Sequence, residues 1–109
     1  MRTSRYPGKD KILNSIVSQV VSAASPEKII LFGSRAKGIN GIESDYDICV
    51  LKSGIRKRRL VAQKIYRALK VMASVDIIVN TLDDFDKNKS NPFLIYSEID
   101  RNGIVIYEK

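Results

Sequence analysis

Two apolar runs, Ile29-Ile30-Leu31-Phe32 and Ile48-Cys49-Val50-Leu51, constrain this chain more than anything else in it. Neither alternates with polar residues, and both are far shorter than the ~20 residues of a membrane span. A short uninterrupted apolar run reads as a strand, and Lys28–Phe32 is expected near the centre of a sheet. The first run leads into Gly33-Ser34-Arg35-Ala36-Lys37-Gly38, and the second is preceded by Ser44-Asp45-Tyr46-Asp47. Side chains alternate faces along a strand, which puts Asp45 and Asp47 on the same one. Two carboxylates there repel each other, a cation between them relieves the repulsion, and hard oxygen ligands suit Mg²⁺. A Gly-Ser turn between a strand and a helix presents backbone N–H groups to a phosphate. Gly33 allows close backbone approach, and Ser34 adds a hydroxyl. Metal beside phosphate suggests a nucleoside triphosphate site.

A third acid, Asp76, lies in the apolar segment Ser74-Val75-Asp76-Ile77-Ile78-Val79. A charge inside a buried strand is costly unless it is paired or bound to metal. Asp76 is therefore either a further metal ligand or a salt-bridge partner of the basic segment before it. Arg35 is similarly open: it could neutralise phosphate or pair with Asp45 or Asp47.

The other elements follow from periodicity. Residues 1–8 read as a flexible lead-in and 9–109 as one domain. Ile12, Leu13, Ile16, Val17, Val20, Val21 and Ala24 form a helical stripe. Ser34–Lys37 starts a short helix that Gly38 ends. Arg56–Ala73 is expected as a helix burying Val61, Ile65, Ala68, Leu69 and Met72. Val75–Asn80 is a strand. Thr81-Leu82-Asp83-Asp84 has the spacing of a capping box. Asn91-Pro92 reads as a cap and first turn of a helix running to Gly103, before a last strand to Tyr107. The link from Gly38 to Ser44 is too short for a long crossover, so the sheet should be mixed, in an α+β fold.

Composition narrows the chemistry. The chain has 109 residues, a net charge of +7, one cysteine and no histidine. The commonest general base and zinc ligand are thus missing. Cys49, inside an apolar strand, reads as a buried thiol, and a cytoplasmic setting with no membrane segment fits. The charge excess sits in Arg56, Lys57, Arg58, Arg59, Lys64, Arg67 and Lys70, with no acid among them. Such a segment is either a solvated face or a surface for an acidic partner. Direct nucleic-acid binding is not favoured, because no aromatic residues are interleaved in a readout pattern.

Gly33-Ser34, ten residues, then Asp45-Tyr46-Asp47 resembles the signature of the DNA polymerase β-like nucleotidyltransferases. With Arg35, Gly38 and Ser44 it is similar to the minimal nucleotidyltransferases that are paired with HEPN proteins. The resemblance implies a polymerase β-like palm, a small mixed sheet with helices packed on one face. It implies catalytic and metal-binding roles for Asp45, Asp47 and Asp76, with two Mg²⁺ ions, and nucleotide contacts from Gly33, Ser34 and Arg35. The implied reaction is transfer of AMP from ATP to a hydroxyl. The implied acceptor is a tyrosine on a partner HEPN toxin, in a homo- or hetero-oligomer. Two alternatives stay open: a non-catalytic subunit masking such a toxin, and a small-molecule adenylyltransferase of the aminoglycoside-modifying type.

Overall fold

The structure is a computed structural model that describes residues 2–3, 10–38 and 45–109. In chain order the elements are β1 (Arg2–Thr3), α1 (Lys11–Ala24), β2 (Lys28–Phe32), α2 (Ser34–Lys37), β3 (Tyr46–Leu51), α3 (Arg58–Ala68), β4 (Val75–Asn80), α4 (Leu82–Asn88), α5 (Ile95–Asn102) and β5 (Ile104–Glu108). The strands form one mixed sheet in the order β1-β5-β2-β3-β4, with β2 at its centre as the apolar run requires. β2 is antiparallel to both β3 and β5, and β3 is parallel to β4. Arg2 and Thr3 pair with Ile104 and Val105, which corrects the lead-in at those two residues. The rest of 1–8 lies outside the described residues.

Strand alternation divides the core in two. Ile29, Leu31, Tyr46, Ile48 and Val50 pack with Leu13, Ile16 and Val20 of α1 and Ile65 of α3. Ile30, Phe32, Cys49 and Leu51 face the other way, against Phe85 of α4 and Ile99 of α5. The mixed α/β sheet is as expected, but helices lie on both faces rather than one. The extra layer explains why β2 and β3 are apolar at successive positions. Cys49 is fully buried, and burial pushes its thiol up to about 12.

Local chemistry sets the helix ends. Asp10 caps α1 by accepting from the Leu13 amide at 3.0 Å. Thr81 caps α4 by accepting from the Asp84 amide at 3.0 Å, as the capping-box spacing indicated. Asn80, at the end of β4 and fully buried, donates to Asp84 at 2.9 Å and accepts from the Thr81 amide at 2.8 Å. Helix α3 is shorter than its periodicity suggested. Gln19 of α1 accepts from the Lys70 amide at 2.6 Å, and the chain leaves the helix at Leu69. Met72, expected in the core, is therefore 96% exposed. Helix α5 begins at Ile95, not Pro92, because the Asn91 side chain accepts from the Phe93 amide in a turn.

Gly103, between α5 and β5, has no room for a side chain: a Cβ would collide with the Ile99 carbonyl oxygen and the Ile30 side chain. At the outer edge of the sheet, the Tyr66 hydroxyl of α3 accepts from the Ile77 amide of β4 at 2.8 Å. No helix among the described residues is long and apolar enough to cross a membrane.

Ile65 is the one fully buried residue of α3. Ile65→Ala should lower unfolding stability by about 2–5 kcal/mol, as for other large-to-small core changes. Met72→Ala should change it by less than about 0.5 kcal/mol. Urea unfolding of the two variants checks both values.

Candidate active site

The end of β2, the start of β3 and the start of β4 meet at one end of the sheet. The register places Phe32 opposite Asp47 and Asp47 opposite Asp76. The two aspartates thus stand side by side on the face that carries α4 and α5 further along. Asp47 is half-buried, while Asp76 is exposed because β4 is an edge strand. Burial inside an apolar strand is thus not what Asp76 experiences, and it does not pair with the basic segment in any ion pair among the described residues.

The Asp47 carboxyl is raised above its ordinary 3.8, first by burial, then by the charges of Asp76 and Asp45, and by a hydrogen bond with Asp76. Asp45 is exposed and precedes β3. Among the described residues, no three His, Cys, Asp or Glu side chains are gathered closely enough to hold a metal ion by themselves. The structure thus brings Asp47 and Asp76 side by side and leaves Asp45 acting on Asp47 through its field.

Gly33 closes the site. Its φ of 74° and ψ of −156° lie in a region essentially restricted to glycine. A Cβ there would run into the Asp47 carboxylate. The bare backbone of the turn is therefore pressed against the acidic pair, and Ser34 opens α2 directly beyond it. This cradle, which only glycine permits, and the all-oxygen donors Asp47 and Asp76 fit a hard divalent cation next to a phosphate.

Arg35 takes a different place. Its guanidinium lies over the Tyr46 ring, 3.8 Å from the centroid. Tyr46 is buried on the α1 face, opposite the side chains of Asp47 and Asp76. Lys37 forms an ion pair with Glu98 of α5 at 2.7 Å. That contact, then a hydrogen bond from Asn102, holds the Glu98 carboxyl below its usual range. Sequence reasoning missed Asp10, which accepts the Tyr46 hydroxyl at 2.9 and 3.1 Å.

The family model for the polymerase β nucleotidyltransferase domain matches residues 14–109. The chain belongs to the polymerase β-like nucleotidyltransferase family. Among solved structures it is similar to a candidate nucleotidyltransferase from Sulfolobus solfataricus, with 24% identity over 91% of this chain and 79% of that one, at a TM-score of 0.66. A toxin–antitoxin complex with AMP-PNP matches with 25% identity over 88% of this chain and 73% of that one, at a TM-score of 0.58. A mutant of the MntA–HpeT toxin–antitoxin pair matches with 24% identity over the same shares, 88% and 73%, at a TM-score of 0.56. No curated protein matches this chain in sequence. Membership makes the chain a transferase of nucleotidyl groups.

Two tests follow from this geometry. Asp47 has a raised pKa in the folded state, so its contribution to stability is full below about pH 3.8 and is lost as pH rises through the raised value. Asp47→Asn removes that loss, and metal-free protein carrying it should be as stable as the wild type or more so at pH 7. Added Mg²⁺ should raise the melting temperature of the wild type and not of the variant. Thermal melts with and without Mg²⁺ across pH 3–8 check the sign. Gly33→Ala forces alanine into a glycine-only conformation and should lower stability by about 1–3 kcal/mol. It should also weaken nucleotide binding, measured by calorimetry on the folded variant; unaltered affinity would make the turn purely structural.

Proposed function

We propose that this chain is a Mg²⁺-dependent adenylyltransferase that moves AMP from ATP onto a hydroxyl of a partner protein. The observation that carries the proposal is the Asp47–Asp76 pair held against the bare Gly33 turn. Two like-charged carboxylates side by side repel each other, a cation between them would relieve that repulsion, and the turn beside them has amides to offer a phosphate. Asp47 and Asp76 would hold Mg²⁺, with Asp45 joining them from the mouth of the site. The bound ion would neutralise charge on the triphosphate and on the oxygens entering and leaving phosphorus.

The residues of the chain supply the rest. Gly33 and Ser34 position the β and γ phosphates through backbone N–H groups and a hydroxyl. Arg35 contributes by anchoring that turn to Tyr46, and its proposed nucleotide contact is of this indirect kind. Asp76 is exposed, so a side chain of another molecule can reach it. It takes the proton of the acceptor hydroxyl as that oxygen bonds to the α-phosphorus, and the bond to pyrophosphate breaks.

The acceptor we propose is a tyrosine of a HEPN-type toxin, with this chain as the antitoxin. Two structural neighbours are parts of toxin–antitoxin pairs, and one of those was determined with AMP-PNP. The mutant pair among them replaces two aspartates one residue apart with glutamate, the spacing of Asp45 and Asp47 here.

The test incubates this protein with the protein encoded beside it, ATP and Mg²⁺, and measures intact masses. The partner should gain one AMP on a hydroxyl side chain. Asp76→Asn should slow that gain by about 10²- to 10⁴-fold. Asp45→Asn with Asp47→Asn should abolish it while leaving association intact. A double mutant that still suppresses the partner, with no mass added, would establish masking instead of chemistry.

A further inference from the structure

Tyr46 stands between Asp45 and Asp47 at the start of β3, and its side chain leaves the sheet on the face opposite Asp47, where it is 3% exposed. Its hydroxyl donates to the Asp10 carboxylate at 2.9 and 3.1 Å. The same Asp10 caps α1 through the Leu13 amide. The Tyr46 ring carries the Arg35 guanidinium at 3.8 Å, and Arg35 follows Ser34 in α2. The Tyr46 amide donates to the Ser74 carbonyl at 2.9 Å, two residues before Asp76. One residue therefore touches the start of α1, the phosphate-facing turn and the segment that delivers Asp76.

Filling the core would have needed only an apolar ring. A buried hydroxyl held by a carboxylate is a charge-assisted bond with fixed direction. A guanidinium stacked on the same ring fixes a second direction. Each contact ends on a different element of the candidate site, so a shift in any of them is felt at the others.

We propose that Tyr46 is a positioning residue that sets the Gly33–Ser34 turn against Asp47 and Asp76 through Arg35. The link to nucleotide affinity rests on the function proposed above; the mechanical coupling does not. Tyr46→Leu removes the contacts to Arg35 and to Asp10 together, whereas Tyr46→Phe keeps the ring under Arg35 and loses only the hydroxyl.

The experiment compares the wild type, Tyr46→Phe and Tyr46→Leu by amide hydrogen exchange and by calorimetric titration with AMP-PNP and Mg²⁺. In Tyr46→Leu the amides of Lys37 and Gly38, which bond back to Gly33 and Arg35, should exchange at least about tenfold faster. The strands β2 and β3 should keep their protection. AMP-PNP should bind about tenfold more weakly to Tyr46→Leu and within about threefold of wild type to Tyr46→Phe. Unchanged exchange at Lys37 and Gly38, or a uniform loss of protection across the sheet, would overturn the proposal. A wild type that binds no AMP-PNP would refute the nucleotide assignment, and the exchange result would still decide the coupling. Should Tyr46→Leu fail to fold, Arg35→Met breaks the stack from the solvent side. The same acceleration at Lys37 and Gly38 is then expected, and its absence overturns the proposal equally.

Discussion

The acidic corner rests on repulsion that the fold accepts. Register alone puts Asp47 opposite Asp76, because the strands are parallel and in step from Tyr46–Val75 to Leu51–Asn80. Slipping by one residue would separate the carboxylates, but it would also turn every apolar side chain of β4 to the wrong face. The two-sided core therefore holds like charges together that would otherwise move apart. A bound cation, as the proposed function requires, would relieve that repulsion, and Gly33 keeps the nearest backbone against the Asp47 carboxylate.

Much of this was legible in the sequence because its signals were local. The bounds of β2 and β4 and the end of β3 followed from apolar runs, and the α4 cap from Thr81 and Asp84. The parity of Asp45 and Asp47 put both on one face, and the register then added Asp76. What the sequence hid depended on contacts between distant segments. The periodicity of the basic helix continued past Ala68, and only Gln19, fifty-one positions before Lys70, marks where the helix stops. The second layer of helices was hidden for a related reason: uninterrupted apolar strands imply cover on both faces but do not say which segments supply it. Arg35 was ambiguous because a guanidinium suits phosphate, carboxylate and aromatic ring alike, and Tyr46 was within reach.

The same division separates membership of the family from individual detail. The Gly-Ser turn and paired aspartates are properties of a short stretch, and they agree with the family match over residues 14–109. The Asp10–Tyr46–Arg35 arrangement joins three stretches, and no one of them announces it.

The Tyr66 hydroxyl on the Ile77 amide has a consequence for the company this domain can keep. An exposed strand edge invites another strand to add to it, and β4 is such an edge. By occupying one outward amide of β4, Tyr66 interrupts the ladder that an incoming strand would have to build. Asp76 is next to Ile77 on that edge. Strand-to-strand docking there is disfavoured.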